Sequence, residues 1–441
     1  MRLCSLLFTC VAVLTLISLN PVAAHAAATP TEAAALDAAA SDYTAYTLPP
    51  DKLAKSEALH RFRVTMAFAD PVWSIASILL LLQFGIIARM RDVAINLSNN
   101  RWAQGFTFFF QFLLVTLLLS LPLDMYGHKV SREYGLSVQG WASWFGDQGK
   151  SFGLIYLFGG LGVMLLFLLI TKFPRRWWLW LWFPTMAFTL LGVFITPFVI
   201  DPLFNKFEPL SKTNPALVEQ LERVVAKGDG INIPPERMFL MKASDKVTTL
   251  NAYVTGFGAS KRVVVWDTSI AKGTPDEILF IFGHEMGHYV LGHIVSGIAF
   301  SFMAFLLEFF IGFHFFQFLV RRFGARWGIP VQENWGSLAI FILVLTTIGS
   351  VSTPLFNSFS RAHEHAADVY GQEVVHGIVT NPQATGQAAF QLLGENGLSY
   401  PYPSDAYECW TGSHPPIWLR AAFAKHYDPW APGEEPKYFK K

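Results

Sequence analysis

Long apolar runs separated by short polar breaks organise this chain. Runs at 71–88, 106–123, 152–171, 177–200, 294–320 and 335–355 each approach the roughly 20 residues that cross a bilayer as a helix. The fourth opens on Trp177, Trp178, Trp180 and Trp182, as the aromatic belt at a membrane–water boundary does. Between the fourth and fifth runs lies a polar insert, 201–276, with a different rhythm. Asn214-Pro215 offers an N-cap followed by proline in the first turn, so a helix is predicted to about Lys227, ended by Gly228-Asp229-Gly230. Segments 238–242, 251–256 and 262–267 are short and β-prone, and 257–260 predicts a hairpin connection between the last two. Residues 51–67 predict a helix lying against the membrane and 27–50 little order, while the chain after Asn357 is polar to its end. The predicted fold class is mostly α, a polytopic membrane helical bundle with a small α+β domain.

The polar breaks also set a direction. Arg2, the apolar stretch from Leu6 to Leu19 and Ala24-His25-Ala26 have the layout of a signal sequence cleaved after Ala26, with an uncleaved anchor as the alternative. Either way the chain from residue 30 starts outside the cytoplasm. Three short loops carry Arg89, Arg91 and Arg101, then Lys172, Arg175 and Arg176, then Arg321, Arg322 and Arg326. The positive-inside rule places these loops in the cytoplasm. The insert and the C-terminal region then face outward, toward the periplasm of a bacterial inner membrane. The chain thus divides into a leader (1–26), an extracytoplasmic segment (27–70), four spans (71–200), the insert (201–293), two spans (294–356) and a C-terminal region (357–441).

Composition supports the bilayer and narrows the chemistry. Hydrophobic residues make up 52% of the chain and charged ones 15%, against about a quarter charged in soluble domains. A net charge of +1 supplies no field to draw nucleic acid. Of the three cysteines, Cys4 and Cys10 lie in the leader, which excludes a disulfide framework and a thiolate metal site. A metal would have to be held by His, Asp or Glu.

Such residues gather in two places. Thr274-Pro275-Asp276-Glu277 carries the marks of a helix start: a capping threonine, proline in the first turn, and a glutamate that completes a capping box. The helix it opens bears His284-Glu285-Met286-Gly287-His288. Positions i and i+4 share a face, so both imidazoles can reach one zinc ion, with Glu285 placed to act as general base on a water. A third ligand decides whether this short motif has meaning. His293 is nearest but projects from another part of the helix. A helix through Ser360-Arg361-Ala362-His363-Glu364-His365-Ala366-Ala367-Asp368 puts Glu364 and Asp368 one turn apart on one face. Glu364 then completes a His2Glu set, and Asp368 accepts the free N–H of a ligating imidazole. His363 and His365 read as ordinary polar helix positions.

Four ordered pieces give the chain a wider resemblance: Asn251-Ala252-Tyr253 with Lys261-Arg262-Val263-Val264-Val265-Trp266-Asp267-Thr268, the HEMGH pentapeptide, Ser360-Arg361 with Glu364 and Asp368, and Ser413-His414-Pro415-Pro416. Across about residues 40–425 the sequence resembles the M48 metallopeptidases, in the branch of the type 1 CAAX prenyl proteases. The resemblance implies one zinc ion on His284, His288 and Glu364, Glu285 as catalytic base, and a bundle enclosing a large chamber. It also implies an edge strand at Asn251, Ala252 and Tyr253 that binds a peptide, Arg361 and Asp368 supporting the ligands, and His414 contacting the site as a transition-state donor or as a further support of the ligands. Eukaryotic members cleave prenylated C-terminal motifs on the cytosolic side, whereas the leader and loop charges here point outward. The expected activity is hydrolysis of membrane-associated proteins or peptides, with prenyl-peptide processing as the alternative. A non-catalytic zinc scaffold, and a transporter suggested by Glu308 and His314 inside the fifth run, are the other readings.

Overall fold

The computed structural model describes residues 28–228, 233–256 and 261–439; the leader and the predicted connection at 257–260 lie outside these. Helix α1 (Pro30–Ala39) starts in a capping box between Thr29 and Glu32. This corrects the expectation of little order at 27–50. The alanine-rich segment has no helical stripe of its own, but Ala35, Ala39 and Tyr46 are buried in one core with the insert and the C-terminal region, and Glu32 pairs with His365 at 2.9 Å and Lys437 at 2.8 Å. Tertiary contacts order it, which local periodicity does not reveal.

Helix α2 (Pro50–Gln83) joins the predicted surface helix and the first span into one element, continuous through Pro71. It ends earlier than the apolar run does. Gly85 takes φ +67°, open to glycine at little cost, and turns the chain into α3 (Ile86–Leu97), which packs back on α4 (Arg101–Glu133). Two further spans follow, α5 (Trp141–Lys172) and α6 (Trp177–Phe204). With α9 (His293–Phe323) and α10 (Ser337–Val374), six helices are long and apolar enough to cross a membrane. In α2, α4, α6 and α9 only 17, 17, 11 and 6% of the most apolar window is buried. Most of these apolar surfaces are left uncovered by the rest of the protein, as helices that cross a bilayer require.

The insert folds as predicted and adds a strand. β1 (Phe207–Pro209), β2 (Met238–Met241), β3 (Ala252–Thr255) and β4 (Arg262–Trp266) form one sheet in the order β1-β2-β4-β3. β3 runs antiparallel to β4, with Ala252 opposite Val265 and Thr255 opposite Arg262, and its other edge pairs with no described strand. Helix α7 (Pro215–Lys227) packs on α8 (Pro275–Val290) and buries Leu221 and Val224 in one core with Met238 and Val263 of the sheet, and α8 carries the predicted Thr274–Glu277 capping box. α10 runs 38 residues through Pro354, so Glu364 and Asp368 ride on the sixth span itself rather than on a separate helix. The C-terminal region is helical as well, in α11 (Pro382–Asn396), α12 (Asp405–Thr411) and α13 (Ile417–His426).

Candidate active site

The site forms where α8 crosses α10. Small residues make that crossing close: a methyl on Gly371 of α10 would stand 2.8 Å from the His284 backbone nitrogen, and one on Gly283 would stand 2.7 Å from Val374. Backbone contact of this kind fixes the two helices without flexible side chains between them. Three sequence-predicted side chains converge there. His284 Nε2 and His288 Nε2 lie 3.1 Å apart, and each is 3.3 Å from an oxygen of Glu364. Ligands at about 2.0–2.1 Å from a tetrahedral ion stand roughly 3.3 Å from one another, so the three spacings fit zinc. Glu364 Oε2 is buried without a hydrogen-bond partner, an acceptor left for a cation.

A second layer orients these groups. Asp368 Oδ1 lies 2.8 Å from His284 Nδ1, the partnership the sequence predicts. Asp368 is itself clamped by Arg420, whose Nε donates to Oδ2 at 2.8 Å and Nη2 to Oδ1 at 2.6 Å. Arg420 was not singled out from the sequence. Its signal was available: a buried arginine beside Ala421, Ala422, Phe423 and Ala424 demands a carboxylate partner. Arg361 does not serve the ligands. Its guanidinium donates to the carbonyls of Gly412 at 2.7 Å and Glu408 at 3.3 Å, and so anchors the segment leading to His414. The arginine that faces the candidate metal point comes from α13.

Charge at the site follows from burial and from these partners. Burial disfavours a charged His284, but Asp368 and Glu364 outweigh it and hold the imidazole pKa at about 9, a proton that a bound metal must displace. Burial pushes the Glu285 carboxyl up. His414 is half exposed, with Nε2 3.3 Å from Glu364 Oε2 and Nδ1 2.9 Å from Ser413 Oγ, and burial lowers its pKa. Glu285, His288, Glu364 and Val254 line a common cleft of about 320 Å³. The Asn251-Ala252-Tyr253 side chains do not: Ala252 is in the core shared by the sheet and α8, and Tyr253 joins a cluster with Met241 and Val264 on the other face. Of this strand, Val254 lines the cleft instead. His363 and His365 are not plain surface positions either, since His363 stacks on His293 and His365 pairs with Glu32.

Comparison with known proteins agrees with this geometry. Residues 37–206 match the N-terminal five-helix membrane region of CAAX prenyl proteases, and residues 211–428 match peptidase family M48. The uncharacterized metalloprotease YhfN of Bacillus subtilis is 36% identical over 74% of this chain and 74% of its own. CAAX prenyl protease 1 of Saccharomyces cerevisiae is 26% identical over 73% of this chain and 75% of its own. The crystal structure of S. mikatae Ste24p shares the fold, with a TM-score of 0.71 at 24% identity, covering 90% of this chain and 99% of that one. The chain belongs to the M48 family, as an integral multi-pass membrane zinc metallopeptidase.

Proposed function

We propose that His284, His288 and Glu364 hold one zinc ion, and that the protein cleaves peptide bonds in membrane-associated proteins or peptides with Glu285 as general base. The observation that carries this reading is the convergence of two Nε2 atoms and an unsatisfied carboxylate oxygen at 3.1–3.3 Å. Bound there, zinc supplies a Lewis acid and brings the pKa of water to about 7. Glu285 accepts the proton of the attacking water and delivers it to the leaving amine, a double task that its raised pKa favours. His414, whose Nε2 lies 3.3 Å from Glu364 Oε2, donates to the oxygen that gains charge. A substrate strand adds to the open edge of β3, where backbone hydrogen bonds place the scissile carbonyl while reading little sequence.

The signal-like leader and the arginine-bearing loops support a periplasmic catalytic side in a bacterial inner membrane. The names of the eukaryotic relatives favour a second reading, removal of C-terminal residues from prenylated peptides. Purified protein tests both. Cleavage should stop with chelator, return with zinc and be lost in Glu285→Gln; cleavage indifferent to chelator would defeat the first reading. Equal rates on prenylated and plain peptides would set aside the second. A reporter fused at Lys441 should be active outside the cytoplasm, and one near Arg326 inside; the reverse pattern overturns the orientation.

A further inference from the structure

His284 and His288 are backed by different chemistry. Behind His284 stands the Asp368 carboxylate, whereas behind His288 stands another imidazole, with His293 Nδ1 3.0 Å from His288 Nδ1. Helix α8 ends at Val290, Gly292 takes φ +70°, and His293 opens α9, so the turn folds it back beside a helix to which it does not belong. Its ring is held from the far side. His293 stacks on His363 at 4.1 Å and 3°, and His363 meets the Phe359 ring at 4.3 Å and Ser296 Oγ at 3.3 Å. A ligating His288 offers its Nε2 lone pair to the ion and keeps its proton on Nδ1. That N–H must donate, so His293 Nδ1 must accept and its own proton sits on Nε2.

We infer that His293 is a positioning residue of the metal centre. It fixes the tautomer and ring plane of His288, in the place that a carboxylate or carbonyl takes behind most ligating histidines. This rests on His288 being a ligand. The neutral acceptor has a consequence for charge. Glu285, Glu364 and Asp368 contribute three negative charges, and Arg420 with a divalent ion contributes three positive. The centre is balanced as it stands, and a carboxylate at 293 would make it anionic and its ion a weaker Lewis acid.

Three variants of the full chain in detergent test this: His293→Leu, His293→Asn and His293→Asp. The Oδ1 atom of Asn or Asp stands at the same bond separation as Nδ1 of histidine, so both keep an acceptor. Zinc affinity is read by chelator competition, ligand field by the visible spectrum of the cobalt(II)-loaded protein, and folding by the melting temperature of the metal-free form. His293→Leu should weaken zinc by about 10–100-fold, with its metal-free melting temperature near wild type. His293→Asn should recover most of that affinity. His293→Asp should bind zinc at least as tightly as wild type, yet show a lower kcat at unchanged KM and a shifted cobalt spectrum. Leu and Asn variants with equal affinity would overturn the inference. If the Leu variant does not fold, an Asp variant that matches Asn in affinity, kcat and spectrum overturns it instead. Wild-type and His288→Ala proteins that bind zinc equally would defeat the ligand assignment, a failure separate from this one.

Discussion

Gly371→Ala is a small change with a calculable effect on the site. The added methyl would lie 2.8 Å from the His284 backbone nitrogen and 3.0 Å from its Cα. Restoring an ordinary contact of about 3.5 Å requires α8 and α10 to part by roughly 0.5–0.7 Å. Both neighbours are backbone, so no rotamer change relieves the clash. Glu364 sits 3.3 Å from His284 and from His288 across that same crossing, and metal–ligand distances tolerate only about 0.2 Å. Overpacking costs about 1–3 kcal/mol, while alanine in place of glycine within a helix returns about 1 kcal/mol. The metal-free fold should therefore survive with a modest loss of stability. Strain reappears when a metal draws the helices together, so zinc Kd should rise by roughly 5- to 150-fold. Gly349→Ala, in the same helix with nothing within 4 Å of the added methyl, is the control. Chelator competition on both variants, with peptide hydrolysis alongside, reads the result. A Gly371→Ala protein with zinc affinity and kcat/KM within twofold of wild type would refute the argument that this crossing sets the site.

Arg420→Leu should destabilise the protein by about 3–5 kcal/mol, because it leaves Asp368 buried without its cation; adding Asp368→Asn should restore part of the melting temperature. His414→Ala should lower kcat by about 10²–10³ with little change in zinc content, measured on a chromogenic peptide. Burial pushes the Glu408 carboxyl up to about 7, with Asp405 adding to the effect against Arg361. The folded state then holds a proton that the unfolded state releases above about 4.5, so this stability is full at low pH and is lost as pH rises toward 7 and beyond. Glu408→Gln should flatten the dependence of melting temperature on pH between 4.5 and about 7, and an unchanged slope would contradict the assignment.

Much of this architecture was legible because its signals are local. Apolar runs marked all six spans, and the Thr274–Glu277 capping box placed α8 to the residue. The pairings of His284 with His288 and of Glu364 with Asp368 were readable from helical spacing, since i and i+4 positions share a face wherever the helix goes. What escaped was carried by distant partners. Nothing near Thr29 announces that Glu32 will meet His365 and Lys437, more than three hundred residues on. Span limits erred for a related reason: the first run was read from Pro71 and the sixth to Leu355, yet both positions lie inside continuous helices. Arg361 was read as a support of the ligands and Arg420 was missed because a motif gives residue order, whereas the fold decides which arginine is aimed at Asp368.

The central claim is that a single zinc ion joins α8 to α10 through His284, His288 and Glu364. Metal content by mass spectrometry, measured on wild type, Glu285→Gln and Glu364→Ala purified side by side, tests it most directly. The account predicts about one zinc per chain in wild type and in Glu285→Gln, and a loss of most of it in Glu364→Ala, as expected for a three-residue site. Full zinc occupancy in Glu364→Ala, with hydrolysis intact, would contradict it.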